Sequence, residues 1–332
     1  MSSRLNRSLA ALFAPPVQKL RRLLGIETLV EHNLRMQDEM REEMRRVTQI
    51  SMDTSVIMAS IARGLLDPKS VVQSAEYARA KECLRLLSPM DVSGASFVRI
   101  GNANDGGYIM VDDIDSRTTP VAYSIGIGTE IGWDLQIAEK GIDVYMYDDT
   151  IVSPPQSDPR FHFRRIGVTG VAHRATRQTL PEMLDANGHG SQDRMLLKID
   201  VEGCEWDVFA HCPAETVRRF SQIVVEFHGL MAAVSGHRFE SVRGVLDKLR
   251  QTHQSVHVHA LNCGWSYMAP HIVLPDVLEV TYVSRAVYGD RLAPSERYFP
   301  TALDAANVPY RVDMPLGDFG RRLVRDGQYT AE

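Results

Sequence analysis

Between residues 121 and 283 the chain repeats one pattern: a short apolar run, a polar or glycine-containing turn, then a stretch with one apolar face. The apolar runs fall at 121–125, 144–147, 161–166, 195–199, 223–227, 256–260 and 277–283. Each is too short for a buried helix and carries β-branched or aromatic residues, so each predicts a strand. Stretches at 133–140, 180–187, 204–211 and 239–253 predict the helices between them. Short apolar strands alternating with helices predict an α/β fold, a mostly parallel seven-stranded sheet with helices on both faces. Ligands of such sheets sit just beyond the carboxyl ends of the strands, so the residues ending each run carry the functional interest.

Upstream the pattern is helical. Residues 71–87 predict a helix closed by Ser88-Pro89, and residues 26–66 predict a long one ended by Asp67-Pro68. In that long helix Ile26, Val30, Asn33, Gln37, Met40, Met44, Val47, Ser51, Thr54, Met58 and Ile61 alternate in steps of four and three. That is the 3.5-residue repeat of a coiled-coil seam and predicts a homo-oligomer; the competing reading is a solvated helix docked on the domain. Residues 1–25 carry Arg4, Arg7, Lys19, Arg21 and Arg22 and no acid, interleaved with Leu5, Leu9, Leu12 and Phe13. They read either as a frayed terminus or as an amphipathic segment for anionic lipid or a partner. The expected divisions are therefore 1–25, 26–92, 93–290 for the α/β domain, and 291–332 as a C-terminal extension.

Composition narrows the class. Of 332 residues, 44% are hydrophobic and 24% charged, which suits a globular protein and not a disordered one. A net charge of −5 argues against a broad nucleic-acid surface. Cys83, Cys204, Cys212 and Cys263 form no CxxC pair, which argues against a zinc ribbon or disulfide framework and suits a reducing compartment. No run approaches the roughly 20 apolar residues of a membrane span, and no signal peptide is read. The expected location is cytoplasmic, with the basic segment available to the inner membrane face.

Three strand ends carry the chemistry. The run 121–125 closes in Gly126-Ile127-Gly128, where glycine permits a tight turn and close backbone approach to a ligand. A nicotinamide fingerprint would need glycine at position 131, which is Ile131, and no Walker-type lysine follows, so a dinucleotide and a triphosphate are both disfavoured. The run 144–147 ends in Asp148-Asp149, about 20 residues after the glycines, where an acid accepts hydrogen bonds from ribose hydroxyls. Asp148 directly follows the strand and is the expected ribose contact. The run 195–199 ends in Asp200-Val201-Glu202-Gly203, two acids one residue apart and a glycine. Together these ends predict a nucleotide-type cofactor site.

The segment Lys198-Ile199-Asp200-Val201-Glu202-Gly203-Cys204-Glu205 resembles the signature of the FkbM-type S-adenosylmethionine-dependent methyltransferases. Arg99-Ile100-Gly101 with Asp105-Gly106-Gly107-Tyr108, the loop from Ser124 to Gly128, and Ile223-Val224-Val225-Glu226-Phe227-His228 are similar to further parts of that family and its relatives. One departure is Ser124, where many class I methyltransferases carry an acid. The resemblance implies a Rossmann-like class I methyltransferase fold with S-adenosylmethionine as cofactor. It implies Gly126 and Gly128 along the methionine part, Asp148 on the ribose, and Asp200 and Glu202 beside the sulfonium or the acceptor. The turn Asp105-Gly106-Gly107 would close over the cofactor. The implied acceptor is a hydroxyl of a glycan or other hydroxylated natural product, in a surface polysaccharide pathway.

Methyl transfer to an alcohol gains from a positioned base. Candidates are Asp200 and Glu202, then Glu226 and His228 after the fifth strand, then His259 and Asn262 after the sixth. His228 is favoured as base for its ordinary pKa, with Glu226 orienting it or the substrate. His257 and His259 are expected on opposite faces of their strand, with His257 structural. Asp200, Glu202 and Glu226 offer oxygen ligands to magnesium, though nothing in their spacing demands a metal. The alternative function is a catalytically silent scaffold that assembles partners through the helical arm.

Overall fold

The computed structural model describes residue 40 and residues 68–171 and 176–321. The basic segment 1–25, the coiled-coil seam of 26–66 save Met40, and the residues after Arg321 therefore lie outside the described residues.

Seven strands form the central sheet: β1 (Val121–Ile125), β2 (Asp143–Tyr147), β3 (Phe161–Arg164), β4 (Met195–Ile199), β5 (Phe220–Phe227), β6 (His253–Ala260) and β7 (Leu278–Ser284). Their spatial order is β3-β2-β1-β4-β5-β7-β6. The first five in this order run parallel, and β7 lies antiparallel to both β5 and β6. All seven expected runs are strands. β5 and β6 begin three residues earlier than their apolar runs, because polar residues there are buried with partners. His253, for example, meets the Phe220 carbonyl at 2.9 Å and the Thr252 hydroxyl at 2.8 Å. β3 stops at Arg164 since Gly167–Val168 pairs instead with Arg177–Gln178.

Six helices matter for the site: α1 (Ala75–Leu87), α2 (Gly132–Glu139), α3 (Leu180–Ala186), α4 (Glu205–His211), α5 (Leu230–Ser235) and α6 (Phe239–Thr252). The expected helix 71–87 is split at Ser74, whose hydroxyl accepts from the Tyr77 amide at 3.1 Å and caps α1. Thr179 and Glu182 close a reciprocal capping box on α3.

Both faces of the sheet are buried except at the edge strand β3, where His162 and Arg164 are exposed, which is why most of its runs read as continuously apolar. Along β4, Leu196 packs with Trp133, Met110 and Ile137 on one side, while Leu197 and Ile199 join α3, α4 and α6 on the other. The first side is covered by α2 and by the hairpin of Phe97–Gly101 with Gly107–Val111. Lys198, one residue on from Leu197, is buried, and its Nζ donates to the Gly126 carbonyl at 2.7 Å.

Residues 292–321 are fastened to this same sheet. Leu292–Pro294 pairs with Met90–Val92, Arg297 donates to the Val256 carbonyl, and Asp304 and Asp313 meet His257 and His259. His257 and His259 thus both reach the C-terminal segment. The expectation of opposite faces is corrected here, because positions two apart on a strand share a face. No described helix is long and apolar enough to cross a membrane.

Candidate active site

The carboxyl ends of β1, β2, β4 and β5 converge on one rim. After β1, Gly126 adopts φ +76°, and a Cβ there would stand 1.6 Å from the Asp200 carbonyl oxygen. Only glycine lets β1 and β4 approach this closely. Gly128 has φ +52° but nothing within 4 Å of an added Cβ, so it faces open space. The loop between them is held by Asp148 at the end of β2. One carboxylate oxygen accepts the Ile127 and Gly128 amides at 2.8 and 2.9 Å, and the other accepts the Thr150 amide and hydroxyl at 2.7 and 2.6 Å. Burial works against the charge, yet these four donors hold the Asp148 carboxyl below its ordinary value.

The turn after β4 is strained. Glu202 is a non-glycine residue at φ +52°, followed by Gly203 at φ +97°. Buried Glu205, the first residue of α4, props the turn: its Oε1 accepts the Val201 amide at 2.8 Å and the Gly203 amide at 3.3 Å. The result turns the Glu202 side chain outward, 84% exposed, while Asp200 stays at the rim. Burial raises the Asp200 carboxyl to about 6, with Lys198 and His228 opposing.

From β5, Glu226 is buried and His228 half-buried. The Trp206 indole stacks on Phe227 at 4.3 Å and donates to the His228 carbonyl at 2.6 Å, which fixes this strand end. His228 Nδ1 lies 3.2 Å from Glu205, and its Nε2 lies 3.3 Å from Glu226 and 3.5 Å from Glu202. Burial alone would lower the imidazole, but hydrogen bonds to Glu205 and Glu226 push it up to about 11. Both ring nitrogens of the residue expected as the base thus face carboxyl groups, which favours its protonated form. Burial raises the Glu226 carboxyl to about 8, and His228 opposes the shift.

The turn of Asp105 and Gly106 stands between α2 and the C-terminal segment. Asn102 donates to Glu130, the Gln136 side chain pairs with the Gly101 backbone at 3.1 Å in both directions, and Asn104 donates to the Ala306 carbonyl at 2.8 Å. Asp105 accepts the Gly106 amide at 3.0 Å, and Gly106 sits at φ +73°. Of the last pair of expected residues, His259 is buried between Glu279 and Asp313, and Asn262 holds the Val308 amide at 2.9 Å, so neither reaches the rim as a free group. Glu205, Lys198, Glu279 and Asn307 are contributors that strand-end reasoning does not find.

A seven-stranded sheet reversed only at β7, with a glycine loop after β1 and acids after β2 and β4, is consistent with a Rossmann-like methyltransferase. Residues 117–255, from just before β1 to the start of β6, match the family model described as a methyltransferase FkbM domain. Over that stretch the chain is similar to methyltransferases of that type. A search of curated proteins gave no match.

Proposed function

We propose that the chain is an S-adenosylmethionine-dependent O-methyltransferase acting on a hydroxyl of a glycan or other hydroxylated natural product. The reading is carried by one observation: the glycine loop, the Asp200 turn and the Glu226–His228 pair share a single rim of a domain matched to methyltransferases. The residues present fit the cofactor. An open face at Gly128 leaves room that a side chain would fill, and Asp148 directly follows β2, the position from which an acid meets a ribose in sheets of this kind. When bound, the cofactor supplies an electrophilic methyl group on a sulfonium.

This chain's own residues supply position and proton transfer. Asp200 lies with Glu226 and His228 in a trio whose ligating atoms fall within 4.8 Å of one another. Both nitrogens of His228 face carboxylates, so Asp200 is the group that takes the acceptor hydroxyl proton, and His228 with Glu226 fixes the acceptor beside it. Outside the described residues, we read the 26–66 repeat as a self-association helix, and light scattering of the full chain is expected to give a mass above that of one chain.

The test is transfer of labelled methyl from S-adenosylmethionine to polysaccharide extracts, read by mass spectrometry of the sugars. Methylated sugar is expected with the wild type, and at least 100-fold less with Asp200→Asn. Cofactor binding without transfer to any hydroxylated acceptor would contradict the acceptor class. A folded chain that binds no cofactor would favour the scaffold reading.

A further inference from the structure

Three carboxylates meet beside this rim in a set that methyl transfer does not require. Asp105 from the hairpin turn, Glu226 from β5 and Glu279 from β7 each bring an oxygen within 4.8 Å of the other two. Oxygens bound to one divalent ion lie at most about 5 Å apart, twice a metal–oxygen distance of about 2.1–2.5 Å. Glu226 and Glu279 are each 5% exposed, and gathering carboxylates out of water is unfavourable without compensating positive charge. His228 faces Glu226 and His259 faces Glu279, but Asp105 has no basic side chain at ion-pair distance among the described residues.

Two buried polar atoms without hydrogen-bond partners belong to residues that border this cluster. The Tyr108 hydroxyl belongs to a residue 3% exposed and has no hydrogen-bond partner; around it stand the acids Asp200, Glu226, Glu279 and Asp105, with the Lys198 Nζ 6.0 Å from its ring centroid. Asn307 is 5% exposed and its Oδ1 is also without a partner, while its Nδ2 donates to Glu279 at 2.7 Å and reaches Asp105 at 3.4 Å. Turned end for end, the Asn307 amide would aim its oxygen at two carboxylates, an arrangement that is favourable only with a cation among them.

We propose that Asp105, Glu226 and Glu279, with the Asn307 amide oxygen, bind one hard divalent cation of the magnesium, manganese or calcium class. An all-oxygen donor set selects such ions over softer metals. The neighbouring trio of Asp200, Glu226 and His228 is the poorer host, since both His228 nitrogens already face carboxylates. The Tyr108 hydroxyl stands beside the ion as a donor to water or to an oxygen of the acceptor.

Manganese titration of the full chain without any methyl donor tests this separately from methyl transfer, by calorimetry and electron paramagnetic resonance. One ion per chain is expected. Glu279→Gln and Asp105→Asn should each weaken binding at least tenfold, and Glu240→Gln on the exposed side of α6 should leave it unchanged. Asp105 is exposed, so its variant reports binding without threatening the fold. Asn307→Asp should tighten binding about tenfold, because it adds a carboxylate to the donor set; an asparagine that merely tethers Glu279 would give weaker binding or none. No saturable manganese binding by folded wild type, or unchanged affinity in Asp105→Asn and Glu279→Gln, overturns the proposal.

Discussion

Gly126 and Gly128 are two residues apart and have the same amino acid for different reasons. At Gly126 a methyl group would collide with the Asp200 backbone, so Gly126→Ala should separate β1 from β4 and cost several kcal/mol, of order 3–5. At Gly128 there is space, and only the left-handed backbone resists a side chain, at about 1–2 kcal/mol. Gly128→Ala should therefore fold with a near-native urea midpoint yet bind S-adenosylmethionine at least tenfold more weakly. Equal stability loss in the two variants would contradict this division. Asp148→Ala removes the acceptor for four donors, two of them in the glycine loop, and should lose about 2–4 kcal/mol of stability together with cofactor affinity.

Much of this residue scale was legible in the sequence. Glycines and acids that directly follow apolar runs can be assigned to a sheet rim, and Gly126, Gly128, Asp148, Asp200, Glu202, Glu226 and His228 all fall at strand ends. The ring of carboxyl groups around His228 was not legible, because it includes Glu205, whose role is hidden inside a helix start and shown only by the two turn amides it accepts. Glu279 lies within an antiparallel strand, and Asn307 sits in a segment with no hydropathy period. Tertiary pairing alone brings these two together at 2.7 Å.

At the scale of elements, β6 shows how a polar start can still belong to a buried strand. His253 is fully buried, and burial lowers its imidazole to about 4, with the Phe220 carbonyl opposing. The sign follows from the unfolded value near 6.5: between about 4 and 6.5 the unfolded chain binds the extra proton. Stability from the neutral imidazole is complete above pH 6.5 and is lost as pH falls toward 4, by about 3 kcal/mol. The slope of the melting temperature against pH in that window should flatten in His253→Gln; an unchanged slope would assign the acid sensitivity elsewhere. The C-terminal residues 292–321 make the same point about boundaries. Their sequence carries no period to mark attachment to the sheet, yet they supply Asp304 and Asp313 to buried histidines of β6.

For the whole molecule, the fold class follows from alternation alone, whereas the strand order and the reversed β7 follow from pairing that no local pattern encodes. The central claim is that this sheet rim holds a methyl donor. It is tested most directly by isothermal titration of the full chain with S-adenosylmethionine. One site per chain is predicted, with affinity reduced at least tenfold in both Gly128→Ala and Asp148→Ala. A folded wild-type chain that gives no saturable heat, or variants that bind as well as wild type, would contradict the account.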